Sequence, residues 1–126
     1  MNIHIDNFDI NKLNPSMLNY MDHLHNYLDE GWNIYKKNRS YILKKNGCKM
    51  MIPDKIMLSQ TEFCDDNQSY KYILCFLYNV LNNGWVIKKS NANYIFIKNH
   101  EGKKEIFSND YINTFIKENF NSHLIK

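Results

Sequence analysis

A chain of 126 residues with 44% hydrophobic and 14% aromatic residues, four glycines and two prolines is too apolar for disorder and too poor in breakers for a long flexible linker. It suits one compact domain, or two half-size units sharing a core, because a lone unit of about 55 residues buries too little apolar surface to be secure. The formal net charge is +3, and nearly all the positive charge is lysine, with Arg39 the only arginine.

No run approaches the roughly 18 apolar residues of a membrane span, and Met1-Asn2-Ile3-His4-Ile5-Asp6 lacks the charged-then-apolar pattern of a signal peptide. A soluble, intracellular protein without membrane contact is therefore expected. Cys48, Cys64 and Cys75 are odd in number and widely spaced, as reduced packing thiols are.

Residues 1–13 alternate weakly through Ile3, Ile5, Phe8 and Ile10, which predicts a short strand and a loop. Asn14-Pro15-Ser16 then starts a helix, with Asn14 capping free amides and Pro15 placed where a missing N–H costs nothing. Its apolar stripe is Met17, Tyr20, Met21, Leu24 and Leu28, and Gly31 closes it. His23 and His25 read as the polar side of this helix.

Trp32–Tyr35 and Tyr41–Lys44 read as a hairpin turning at Asn38-Arg39-Ser40, and Asn46-Gly47 leads to a third strand over Lys49–Ile52. Pro53-Asp54 is expected to open a short helix carrying Ile56, Met57 and Phe63. The polar run Cys64–Ser69 marks a boundary.

Beyond it the pattern returns. Gly31-Trp32 and Gly84-Trp85 stand 53 positions apart (84 − 31), and Leu24/Leu77, Leu28/Leu81, Ile34/Ile87, Tyr41/Tyr94, Ile42/Ile95 and Lys45/Lys98 match at that offset without a gap. The second helix stripe, Tyr70, Ile73, Leu74, Leu77 and Leu81, is the first stripe shifted by the same offset. Strands follow near 85–89, 93–98 and 104–107, and Ser108 caps a closing helix with Tyr111, Ile112, Phe115, Ile116 and Phe120 inward. Trp32 and Trp85 are expected to be core anchors.

The expected fold is therefore α+β: two tandem copies of a helix, an antiparallel hairpin or three-stranded sheet and a helix, packed as one compact domain. Residues 1–13 precede a first repeat at 14–64 and a second at 65–126. Either the duplication only completes a core, or it makes a two-fold binding surface.

Charge divides by segment. Residues 1–30 carry −4, 31–55 carry +6, 56–83 carry −2, 84–104 carry +4 and 105–126 carry −1. Both hairpins are basic, and a basic hairpin with interleaved aromatics binds nucleic acid through phosphate contacts. The expected contact residues are Lys36, Lys37, Arg39, Lys44, Lys45, Lys88, Lys89, Lys98, Lys103 and Lys104, with Tyr35 stacking on a base. A lysine-rich surface with one arginine does not suit base-specific reading.

No catalytic or metal site is expected. His23, His25, Cys48 and Cys64 have no zinc-ligand spacing, Asp65-Asp66 sits in a linker, His100-Glu101 lacks a nucleophile, and neither a phosphate loop nor a nucleophile elbow is present. No cofactor is implied.

The phrase Gly84-Trp85-Val86-Ile87-Lys88-Lys89, then Tyr94-Ile95-Phe96 and Glu101-Gly102-Lys103-Lys104-Glu105-Ile106-Phe107-Ser108, together with the Asn-, Ile-, Lys- and Tyr-rich composition, resembles the short uncharacterised proteins of amoeba-infecting, mimivirus-like DNA viruses. That resemblance implies a host-cytoplasm, viral-factory or virion location. Over residues 84–120, Gly-Trp, a basic strand, an aromatic strand and Gly-Lys-Lys-x-x-Phe-Ser before a helix is similar to the methyl-CpG-binding domain pattern. The paired arginines with which that family reads methylated CpG have no counterpart here, so this similarity implies a like sheet-and-helix arrangement with a basic face. The functional expectation is a non-catalytic protein engaging an acidic partner, nucleic acid foremost. The alternatives are an adaptor or virion component docking a protein through aromatic surfaces while its lysines are solvated, and a small enzyme. A homodimer is compatible with each.

Overall fold

A computed structural model of the protein describes residues 15–54 and 67–124, the side chains of 15, 68 and 119–124 excepted. Helix α1 (Pro15–Asp29) buries Tyr20, Met21, Leu24 and Leu28 as its stripe predicts and leaves Met17 half-buried. It ends at Gly31, whose φ of +97° carries the chain into a tight closing turn, with Trp32 N–H donating to the Tyr27 carbonyl at 3.0 Å. Helix α2 (Gln68–Asn82) ends alike: Gly84 has φ of +92°, and Trp85 N–H donates to the Val80 carbonyl at 3.3 Å. At its other end the Asn67 side chain accepts the Tyr70 N–H.

Each helix leads into three strands, β1 (Asn33–Lys37), β2 (Ser40–Lys45) and β3 (Cys48–Pro53) after α1, and β4 (Val86–Ser90), β5 (Asn93–Lys98) and β6 (Lys103–Ser108) after α2. Asn38 and Asn91, both at positive φ, turn the first hairpin of each set. The strands form one antiparallel sheet in the order β3-β2-β1-β4-β5-β6, joined at its centre where Ile34 pairs with Ile87. The fold is thus α+β, with three α-helices and a six-stranded antiparallel sheet among the described residues.

Pro53 departs from expectation. It is the last residue of β3 and pairs with Ser40 instead of opening a helix, while Asp54 N–H donates to the Arg39 carbonyl at 2.9 Å. Since β3 is an edge strand, a residue without an N–H costs no ladder bond there. The rest of the expected helix, with Ile56, Met57 and Phe63, lies outside the described residues, as do the strand and loop of 1–13, the Asn14 cap and the boundary at 64–66.

The core lies between one sheet face and the helices. Ile34, Tyr41, Leu43, Ile87, Tyr94, Phe96 and Phe107 point from the strands to Tyr20, Met21, Leu24, Leu74, Leu77 and Leu81. Helix α2 packs against both α1 and α3 (Asn109–Leu124), so it buries more than its stripe: Cys75, Phe76 and Val80 are enclosed too. Phe76 stands against Phe96, Phe107 and Phe115 at ring-centroid distances of 5.8, 6.2 and 5.5 Å.

Ser108 caps α3, its hydroxyl accepting the Tyr111 N–H at 3.0 Å, and Ile112, Phe115 and Ile116 are buried. Tyr111, expected inward, is 41% exposed: it meets Phe107 edge-on at 5.0 Å beside the edge strand β6. The Phe120 side chain lies outside the described residues. Trp85 is buried, whereas Trp32 is only half-buried against Tyr27. No helix of the described residues is long and apolar enough to cross a membrane.

Candidate functional site

Strand residues alternate between two faces, so those next to the core residues point away from the helices. The registers place Asn33, Tyr35, Lys37, Ile42, Lys44, Lys49, Met51, Val86, Lys88, Ile95, Ile97, Lys104 and Ile106 on that outer face. Five lysines stand there, and no strand position of that face is acidic. Aliphatic side chains lie among them: Ile42 is buried beneath its neighbours, while Met51 and Ile106, near the two edges, are 59% and 56% exposed.

The expected contact residues therefore divide. Lys37, Lys44, Lys88 and Lys104 share the outer face with Tyr35, and Arg39 sits at the tip of the β1–β2 turn. Lys36, Lys45, Lys89, Lys98 and Lys103 take the opposite parity and lie on the helix side. Lys49 belongs to the outer set although the expectation omitted it. Its place opposite Lys44, between Cys48 and the inward Met50, is the signal that finds it.

On the helix side the lysines are engaged. Lys36 donates to Asn82 at 2.8 Å and lies 3.6 Å from Asp54; Lys89 donates to Asp29 at 2.5 Å. Lys98 and Lys103 reach Glu101 at 3.1 and 2.8 Å, and their hydrogen bonds hold its carboxyl below the ordinary range. The Lys45 stem runs past Gly31 and the Lys98 stem past Gly84, and the Lys98 ammonium lies 5.6 Å from the Trp85 ring centroid. Among the described residues, every lysine in an ion pair is on this side.

Among the described residues, Tyr35 is the one aromatic at an outer strand position. Two depressions flank it. One, of about 530 Å³, is lined by Tyr35, Lys37, Lys44, Val86, Asn99 and His100, and Lys36 of the helix-side set reaches it too. The other, of about 260 Å³, is lined by Tyr35, Lys37, Ile42, Lys49 and Met51. The Lys44 ammonium lies 5.5 Å from the Tyr35 ring centroid.

A second polar group lies between helix and sheet. His25, expected on the polar side of α1, is 7% exposed, whereas His23 is exposed. Its Nδ1 faces Asp29 at 3.3 Å, and its Nε2 is 2.6 Å from the Tyr94 hydroxyl. A carboxylate only accepts, so Nδ1 carries the proton and Nε2 accepts from Tyr94. Burial lowers the His25 pKa, and the Lys89 charge adds to this, while Asp29 and Asp22 oppose it. Tyr70, edge-on to His25 at 5.4 Å, donates to Asp22. Burial raises the pKa of Tyr94 and, with Asp22 adding, that of Tyr70. With His25 and Tyr94 both buried, this Tyr-His-Asp chain ties α1 to the sheet. Among the described residues, no group of three or more His, Cys, Asp or Glu side chains is arranged to hold a metal ion. Compared with known protein families, curated proteins and solved structures, the chain matches none.

Proposed function

We propose that the protein is a non-catalytic binding protein that holds nucleic-acid backbone on the outer face of its sheet. The observation that carries this reading is the separation of charge among the described residues: Lys37, Lys44, Lys49, Lys88 and Lys104 share a face on which no strand position is acidic, while Asp29, Asp54 and Glu101 pair with lysines on the helix side. Such a face attracts phosphate and releases counterions on binding. Fluorescence anisotropy with labelled single- and double-stranded DNA and RNA tests it. With five lysines engaged, affinity for a single strand falls about 100-fold between 50 and 200 mM salt. Absence of binding to every one of these at low salt overturns the reading.

The chain is further read as two copies of one unit fused across the β1–β4 pair. Support comes from the equivalence of Ile34 and Ile87, which face each other at the centre, and from the matched contacts of Gly31 with Lys45 and Gly84 with Lys98. On this reading the two basic hairpins contribute to a single surface. The competing reading, a protein-docking face, draws on exposed Met51 and Ile106. An interface anchored by those side chains changes little with salt.

A further inference from the structure

Resting on that reading, we infer that the outer face takes a single strand in preference to a duplex, with one unpaired base held against Tyr35. The first ground is shape. Six strands at about 4.8 Å spacing make a surface roughly 24 Å across, whereas a major groove about 12 Å wide admits a helix or a two-stranded ribbon. A duplex therefore meets this sheet only along its phosphate ridges and leaves the interior of the face uncovered.

The second ground is what occupies that interior. Tyr35 sits on a central strand, between a depression of about 530 Å³ and one of about 260 Å³. The larger volume lies within the range of roughly 300–1,000 Å³ typical of small-ligand pockets. Ile42, Met51 and Val86 line the two depressions as apolar walls, and Asn99 and His100 supply polar groups at one end. Lys37 and Lys44 belong to the larger depression too. A planar aromatic with aliphatic neighbours and lysines close by is what an extruded base with its flanking phosphates requires. Because Tyr35 is the one aromatic residue among the described outer strand positions, a single base stacks, and the remaining contacts are ionic and indifferent to sequence.

The test is anisotropy at fixed low salt, with labelled oligothymidylate and a labelled duplex of the same length. It compares the wild-type chain with Tyr35→Ala, Tyr35→Phe and the double variant Lys44→Ala/Lys88→Ala, each checked for an unchanged thermal melt. The wild type binds the single strand more tightly than the duplex. Tyr35→Ala weakens single-strand binding roughly 10- to 100-fold without altering its salt dependence, and Tyr35→Phe retains it. The double lysine variant lowers the salt dependence for both ligands. Equal or tighter duplex binding, or a Tyr35→Ala chain that binds oligothymidylate as the wild type does, overturns the single-strand inference while the backbone-binding reading stands. Binding to neither ligand, with single- and double-stranded RNA unbound as well, overturns both and leaves a protein as the occupant of the face.

Discussion

His25 on α1 accepts a hydrogen bond from the hydroxyl of Tyr94 on β5 across 2.6 Å, a contact between residues 69 positions apart. Burial lowers the pKa of this imidazole, so the folded protein resists protonating it while the unfolded chain takes up the proton near pH 6.5. The stabilisation is complete above that pH and is lost as pH falls through the lower, folded value. Urea midpoints measured from pH 8 to pH 5 accordingly drop below about pH 6.5 in the wild type. His25→Gln flattens that part of the curve. Carboxylates such as Glu101 add their own losses only at lower pH.

Phe76 is enclosed by rings from β5, β6 and α3, and removing it leaves a cavity that those rings cannot jointly close. Phe76→Ala lowers unfolding stability by about 3–5 kcal/mol, read from urea denaturation. Met51→Ala, on the exposed outer face, changes it by less than about 0.5 kcal/mol.

A methyl group at Gly31 or Gly84 meets only ordinary van der Waals contact, the nearest atoms, Lys45 Cε and Lys98 Cε, standing 3.7 and 3.8 Å from it. The cost of substitution therefore lies in the positive φ. Gly31→Ala and Gly84→Ala each destabilise by about 1–2 kcal/mol. Similar losses at both positions accord with two equivalent units; a large disparity in thermal melts counts against them.

Two triple variants separate the faces. Lys37, Lys44 and Lys88 changed together to Ala weaken nucleic-acid binding and reduce the salt slope for a single strand by roughly 2. Lys89, Lys98 and Lys103 changed together leave the slope as it is and lower stability only modestly, since ion pairs with carboxylates this open to solvent contribute little.

Burial pushes the Cys75 thiol up to about 12, whereas Cys48 is exposed. In a Cys64→Ser background, a thiol reagent at pH 8 labels one cysteine rapidly and the second only on denaturation, as counted by mass spectrometry.

Periodicity together with caps and turn residues placed α1, α2, α3 and the hairpins, though not the end of β3 at Pro53. Tyr20, Met21, Leu24 and Leu28 repeat at helical spacing, and glycine after each of the first two helices marks where the helical conformation ends. These are local effects, written in neighbouring residues. Which side of the sheet each lysine occupies is not local. Tyr41-Ile42-Leu43 and Tyr94-Ile95-Phe96-Ile97 are apolar at every position, so alternation within them does not say which set faces the helices. Only packing against α1, α2 and α3 chose Tyr41, Leu43, Tyr94 and Phe96 for the core, and that choice sent Lys36 to the helix side and its neighbour Lys37 to the outer face. The burial of His25, the second face of α2 at Phe76 and the exposure of Tyr111 have the same origin. Each depends on what stands opposite, and residues distant in the chain are brought opposite one another by the tertiary fold alone.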